Sequence, residues 1–428
     1  MSDSRLYVGI DLGTSGCRAI AINTAGGICG QAAVDLPAPQ RHGAGVEQQP
    51  ALWWQAVRMV LHTLLREISP HAIHAIAIDG TSGTLLLADQ HGAPLAPALL
   101  YNDARSLTEA EQIARVAPPA SATHGPSGGL AKLLYLQKHV GADAHFALSQ
   151  ADWIGAQFTG HYGISDEHNC LKLGYDPVAR CWPDWLDELG VRRPLLPRVV
   201  AAGTPLAAIH ADIAREFKLS TNTLLVAGTT DSTAAFIASG ANTLGDAVTS
   251  LGSTLVVKIL SAQPIFAPHY GVYSHRYGKD WIVGGGSNSG GVVLRHYFTD
   301  QQLARMTPLL KPSAPTGLDY YPLLTPGERF PINDPILAPR LTPRPADDVQ
   351  FLQGLLEGMA RIEHRAYQLL MELGASYPSS IRTVGGGATN MAWEKIRASF
   401  LQVPLIKPSH GEAAYGAALL ARQATRQS

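Results

Sequence analysis

The tetrapeptide Gly-Thr-Ser-Gly occurs twice in this chain, in GIDLGTSGCRAIAI (9–22) and in IAIDGTSGTLLLAD (76–89). Each copy has an aspartate just before it, Asp11 in the first and Asp79 in the second. Glycines let consecutive backbone N–H groups aim at one point, and the hydroxyls add donors, so such a turn suits a phosphate or a sugar. In the first copy the donors are Thr14 and Ser15, and Asp11 can hold Mg²⁺, directly or through water, against phosphate oxygens. An ordinary hairpin uses the same residue types, so one turn alone leaves both readings open.

Further along, LGST at 251–254 supplies Gly252, Ser253 and Thr254 in a second turn of phosphate type. The run GGGATN (385–390) brings Gly386 and Gly387, where backbone can approach a flat nucleoside, and Asn390, whose amide can meet a nucleotide. Neither G-x-x-x-x-G-K-[ST] nor G-x-G-x-x-G is present, so the expected nucleotide site is of another kind. Asp231, in AGTTDSTAAF, ends a strand of small and apolar residues. A carboxylate at a strand's carboxyl end can take the proton of an attacking alcohol; it can equally cap the helix that follows.

Two polar clusters are open to either reading. Asn102, Asp103 and Arg105 in YNDARS can read sugar hydroxyls or form a local ion pair, while His168, Asn169 and Lys172 in SDEHNCLKLGYD lean toward a structural role. H-E-x-x-H does not occur, which removes a zinc-hydrolase reading of that type.

The elements that must position these residues follow from periodicity. Strands at Leu6 to Ile10, Arg18 to Asn23 and Ile28 to Val34 form antiparallel hairpins around the first turn, and a helix from Pro50 to Ile68 buries Trp53, Val57, Val60, Leu61 and Leu64. A strand from Ile73 to Ile78 leads into the second turn. Near 224 the plan repeats: a strand enters GTTDS, and AVTSLGSTLVVKIL has the strand–turn–strand order of YVGIDLGTSGCRAIAI. Nine prolines between 311 and 346 mark an irregular surface excursion. A long amphipathic helix follows, opened by Asp347 and Asp348 and stopped by Gly374. A strand from Ile381, the GGGATN turn and a helix from Met391 come next, then a short strand and a last helix from Gly411.

The 428 residues, 46% hydrophobic and 16% charged with formal net charge -1, are expected to form a globular protein of two to three domains. That balance predicts neither nucleic acid nor a membrane surface as partner. Four cysteines without C-x-x-C spacing, no secretory signal and no long apolar run predict a reduced, cytoplasmic protein.

Together the motifs resemble those of the FGGY carbohydrate kinases, a branch of the actin/hexokinase/Hsp70-like superfamily. The resemblance runs from Tyr7 to about Leu420, with five motifs in order: the two hairpins, AGTTDSTAAF, TVGGGATNMAW and GEAAYGAALLA. It implies an α/β fold of two actin-like (ribonuclease H-like) lobes flanking a catalytic cleft. The first lobe, 1–223, would be mainly sugar-binding and joined by the last helix (411–428); the second, 224–410, would be mainly ATP-binding. It further implies a kinase using ATP and Mg²⁺, with Asp231 as general base. Thr14, Ser15, Gly252, Ser253, Thr254, Gly386, Gly387 and Asn390 would hold ATP, and Asp11 would hold the metal through water.

D-xylulose kinases typically carry Q-M-H-G where this chain has Asp79-Gly80-Thr81-Ser82-Gly83. A shorter branch with D-G-T-S-G and the run GLDYYPLLTPGERFPI is similar to D-ribulose kinases, in which the residues matching Asp11, Ser82 and Asp231 contact the sugar. Asn102 joins them as a candidate contact, although Tyr101 stands where many members have Trp. The expected reaction is phosphorylation of the primary hydroxyl of a ketopentose, D-ribulose to D-ribulose 5-phosphate first and D-xylulose as the alternative. A non-catalytic actin/Hsp70-like nucleotide switch is the other reading. The expected partners are sugar and ATP, in a monomer or homodimer.

Overall fold

The computed structural model describes residues 5–425, which divide into two units. Unit 1 contains the described chain up to Ala238 and resumes at Glu412, and unit 2 is Ser239–Gly411. The boundary therefore falls after Ala238 and not after residue 223. The reason is pairing: strand Leu224–Thr230 lies parallel to Ile73–Gly80 in the sheet of unit 1, and it carries the following helix, Asp231–Ala238, with it. Asp231 thus belongs to the first unit.

The main sheet of unit 1 has six strands. Leu6–Leu12, Gly16–Asn23 and Ile28–Asp35 pair antiparallel in sequence order. On the other side of Leu6–Leu12, Ile73–Gly80 and Leu224–Thr230 run parallel to it, and Pro205–Ala208 closes the edge. Val8, Ile10 and Leu12 alternate onto one face, where they join Trp53, Val57 and Val60 of helix Pro50–Leu64 in a single core. Burying each large apolar side chain there contributes about 1.5–3 kcal/mol. The helix ends at Leu64, four residues before the expected Ile68.

The opposite face takes the C-terminal helix Ala413–Ala424, and glycines set how close it comes. A Cβ on Gly9 would lie 1.9 Å from the carbonyl oxygen of Ala414, and one on Gly416 would lie 1.9 Å from that of Ala234. Strand, helix 413–424 and helix 231–238 thus touch backbone to backbone.

Between residues 40 and 200 unit 1 carries a part that periodicity did not foretell. A five-stranded antiparallel sheet, in the order Gln40–His42, Gly45–Gln48, Ala98–Leu99, Leu85–Ala88, Phe146–Ser149, packs with helices Leu107–Val116 and Gly129–Val140 around Leu85, Leu87, Ile113 and Leu133.

Unit 2 repeats the scheme. Asp246–Leu251, Leu255–Ser261 and Asp280–Ser287 pair antiparallel, and Ser380–Val384 then Leu405–Ile406 run parallel beside the first of them. The helix Asp348–Glu372 covers this sheet, its first turn capped by the Asp347 side chain accepting from Val349 N–H at 2.9 Å. Residues 311–346 form no helix or named strand and are held mainly by side chains.

The close contact at Gly416 yields a prediction. Gly416→Ala should destabilise unit 1 by about 1–3 kcal/mol, the usual cost of overpacking a filled interface. A urea unfolding midpoint equal to wild type would show that the helix is not seated there.

Candidate active site

Parallel register builds the centre of unit 1. Across neighbouring strands Asp11 sits opposite Asp79, and Asp79 opposite Thr229, so these residues form a row at the carboxyl ends of the three strands. Asp231 follows two positions later, as the first residue of its helix. Ligands of open α/β sheets bind at this end.

The row concentrates negative charge. Asp79 is fully buried, and neither of its carboxyl oxygens receives a donor from the described residues. Across the strand pair from it stands Asp11, and two carboxyls this close in the chain's sheet register disfavour each other's ionised form. Burial is the largest cause pushing Asp11 up to about 6, with the Asp79 hydrogen bond opposing it and the charge of Asp231 adding to it. Burial, then the charge of Asp11, holds Asp79 well above the usual carboxylate range. Arg18, 4.0 Å from Asp11, compensates weakly because its side chain is also 3.5 Å from Glu412. Asp231 Oδ1 accepts the neighbouring Ser232 N–H at 2.6 Å at the positive end of the helix. Thr230 and Thr233 exchange a hydroxyl bond at the same end (3.0 Å).

Both Gly-Thr-Ser-Gly turns adjoin the row. In the first, Gly13 N–H bonds the Gly16 carbonyl and Leu36 N–H bonds that of Ser15, while the hydroxyls of Thr14 and Ser15 have no hydrogen-bond partner among the described residues. In the second, Gln150 Oε1 accepts both the N–H (3.0 Å) and the hydroxyl (2.9 Å) of Thr81, and Ser82 is its one partly exposed residue.

The polar clusters separate. Asn102 turns a buried, unpartnered Oδ1 inward. Asp103 and Arg105 instead form a structural ion pair: Asp103 is buried, accepts Val46 N–H at 2.6 Å, and meets Arg105, which also bonds Glu47 at 2.8 Å. His168 is tied to strand Leu224–Thr230, its Nδ1 lying 2.6 Å from the Thr229 hydroxyl. Asp166 caps the short helix Glu167–Cys170 that carries His168 and holds the Asn169 amide at 2.6 Å. Asp152 and Asp166 also line a cavity of about 30 Å³, room for water only. Burial raises both carboxyls, and the charge of Asp166 raises Asp152 further.

Unit 2 holds a much larger cavity, about 690 Å³, within the range of small-molecule sites. Gly252 and Ser253 line one side, Gly386, Gly387 and Asn390 another. The turn 251–254 is fixed by the loop before helix Gly291–Tyr297: Ser289 O accepts Leu255 N–H (2.8 Å), while Gly291 and Val292 N–H groups bond the Gly252 and Ser253 carbonyls. A Cβ on Gly385 would stand 2.9 Å from the Leu251 carbonyl oxygen, so the two glycine turns pack directly together. Asn390 Oδ1 is spent as a helix cap on Trp393 N–H (2.9 Å), which leaves its amide nitrogen, 3.5 Å from the Thr307 hydroxyl.

Sequence reasoning missed two groups here. Arg295 lines the cavity and donates to the Ser253 hydroxyl at 3.1 Å; its place four residues after Gly291 carried no signal without the loop contact. Glu328, in the proline-rich run, accepts from Ser287 Oγ, Asn288 N–H and Tyr321 OH, and so anchors the loop that seats the phosphate-type turn.

The buried carboxyls make stability depend on pH with a definite sign. A carboxyl whose pKa is raised by folding binds more protons folded than unfolded, so its contribution is present in acid and lost as pH rises through the folded value. Asp11, Asp79, Asp152 and Asp166 all act this way. The urea midpoint should therefore rise from about pH 7.5 to about pH 5.5, and Asp152→Asn should flatten that slope. A midpoint that falls over this interval, or an unchanged slope in the variant, would contradict the assignment.

Residues 6–238 match the FGGY family of carbohydrate kinases, N-terminal domain, and residues 247–425 match the C-terminal domain of the same family. The chain is similar to the xylulose kinase of Escherichia coli, at 25% identity over 437 residues covering 97% of this chain and 90% of that protein. It is also similar to the xylulose kinase of Staphylococcus epidermidis, at 23% identity covering 97% and 87%. The crystal structure of a xyloylose kinase from Brucella ovis superposes with a TM-score of 0.90 and 28% identity, covering 99% of this chain and 91% of that one. A repeated sheet of the actin/hexokinase type, family domains spanning nearly the whole chain and full-length kinase relatives agree, and the chain belongs to the FGGY family of carbohydrate kinases, the ATP-dependent sugar phosphotransferases.

Proposed function

We propose that this kinase phosphorylates the primary hydroxyl of a ketopentose with Mg·ATP as donor. The observation that carries the reading is the row of Asp11, Asp79 and Thr229 with Asp231 beyond it, beside a turn whose Ser82 is left partly exposed. Among ketopentoses, D-xylulose has the support of the relatives, which are named xylulose kinases. D-Ribulose stays as a second reading on one observation: the second turn is Asp79-Gly80-Thr81-Ser82-Gly83, with a serine hydroxyl offered to the acceptor.

In this mechanism Asp231 orients the acceptor hydroxyl and takes its proton as the new O–P bond forms and the bond from the γ-phosphorus to the bridging oxygen breaks, releasing ADP. Little charge builds on the attacking oxygen in a loose transition state, so positioning supplies most of the rate. Ser82 and Asn102 bind sugar hydroxyls, and Asp11 would face the sugar and would hold the metal through water. In unit 2 the turn 251–254 would receive phosphate, with Ser253 and Thr254 as donors and the adenosine against Gly386, Gly387 and Asn390; in unit 1 the hydroxyls of Thr14 and Ser15 would serve as phosphate donors.

The donor set fits Mg²⁺. Asp11 is a partly accessible member of a crowded carboxyl group, with a side chain 13% exposed, and a hard cation takes oxygen ligands. When bound, Mg²⁺ neutralises charge on the transferring group.

An ADP-release assay with D-xylulose, D-ribulose, L-xylulose, L-ribulose and glycerol tests the reading. ADP release should depend on one of the ketopentoses, and release indifferent to every acceptor would reject it. Asp231→Asn should lower kcat by ~10²–10⁴ with nucleotide affinity little changed. If ATP binding or the melting temperature collapsed in parallel, Asp231 would be a cap and not the base. Ser82→Ala should raise the sugar KM by about 3–10-fold, the worth of one hydrogen bond; an unchanged KM removes Ser82 from the sugar site.

A further inference from the structure

Lys132 is a fully buried ammonium that the proposed reaction does not use. It lies in the first turn of helix Gly129–Val140, and its Nζ donates to the carbonyl oxygens of Gly83 (2.7 Å) and Ser127 (2.9 Å). It forms no ion pair among the described residues. Burying a charge against carbonyls alone is expensive, and a hydrophobic side chain of similar length would fill the same volume without that cost. Burial, followed by the nearby charge of Lys172, lowers Lys132 to about 7, and Asp103 opposes the shift only partly.

Its main partner is not an arbitrary loop. Gly83 closes the second Gly-Thr-Ser-Gly turn at φ +85°, a conformation that frees its carbonyl from the strand ladder. The opposite leg of the turn is held through Thr81 by Gln150 Oε1, and the Thr81 and Thr84 hydroxyls bond each other at 2.6 Å. Thr81, Gly83 and Thr84 are therefore buried and tied, while Ser82 between them is partly exposed and its hydroxyl has no hydrogen-bond partner among the described residues.

We propose that Lys132 is a positioning residue that, with Gln150, locks the 80–83 turn so that the Ser82 hydroxyl is held toward the sugar. This rests on Ser82 being a sugar contact. The lysine reaches the acceptor only through the turn, so its loss should alter sugar binding more than nucleotide binding. A serine held by two flanking anchors loses little conformational freedom when sugar binds, and part of the affinity comes from that preorganisation.

The test compares Lys132→Met with wild type and Ser82→Ala, using the ketopentose that gives the fastest ADP release. Lys132→Met should raise the sugar KM about tenfold, leave the ATP KM within about twofold, and not lower the urea midpoint, because removing the buried charge offsets two lost hydrogen bonds. An unchanged sugar KM beside a raised one in Ser82→Ala overturns the role of Lys132 alone. If Ser82→Ala also leaves the sugar KM unchanged, the sugar-turn reading itself has failed. A lowered midpoint with unchanged kinetics makes Lys132 purely structural and overturns the proposal. Should Lys132→Met not fold, Lys132→Arg, which keeps the charge but cannot reproduce both carbonyl contacts, must show the same rise in sugar KM; a wild-type KM there overturns it.

Discussion

The parallel pairing of Leu6–Leu12, Ile73–Gly80 and Leu224–Thr230 is the constraint on which unit 1 depends. Once those registers are set, Asp11 and Asp79 cannot avoid each other, and Asp231 must stand close beyond them. Like charges in a desolvated site oppose folding, as the raised carboxyls record. An arrangement that costs stability and is compensated only weakly by Arg18 is one that a cation or a proton-donating hydroxyl would relieve.

Unit 2 meets a different demand with a different device. Its two glycine turns must approach each other closely, and a buried cluster behind them fixes the distance. Arg397 bonds Glu363 at 2.6 and 2.7 Å and Thr383 at 2.7 Å, while the Thr249 hydroxyl donates to the same carboxylate and meets the Tyr367 hydroxyl at 2.8 Å. The cluster joins the strands that lead into both turns to helices Asp348–Glu372 and Met391–Leu401. Every member is satisfied, so the buried pair works as a spacer of defined length; breaking it from one side would cost about 3–5 kcal/mol. Glu328 plays a similar part from the surface excursion, which explains why a proline-rich run without regular structure is nonetheless held in one place.

Three ambiguities of the sequence resolve differently in the two units. Asp103 and Arg105 have a structural task, since the buried carboxylate meets the guanidinium and a backbone N–H at once. His168, for which the sequence leans toward a structural role, reaches the hydroxyl of Thr229, two residues before Asp231. Asn390 spends its oxygen on a helix cap and keeps only its nitrogen for another partner.

The sequence by itself determined the local elements: the hairpins around the turns 13–15 and 252–254, the helix Met391–Leu401, and the long helix closed at Gly374, whose φ of +113° suits glycine. These follow from side-chain periodicity and turn chemistry, which act over a few residues. It also displayed the repeat of strand, turn and strand, and with it the family. Tertiary structure alone decided that Asp231 belongs to the first unit, that Asp79 is buried against Asp11, and that Lys132 and Gln150 grip the second turn. Each of those facts depends on pairing between segments far apart in the chain. Composition and spacing carry no record of which strand a given strand will adjoin, and so none of which charges will be forced together.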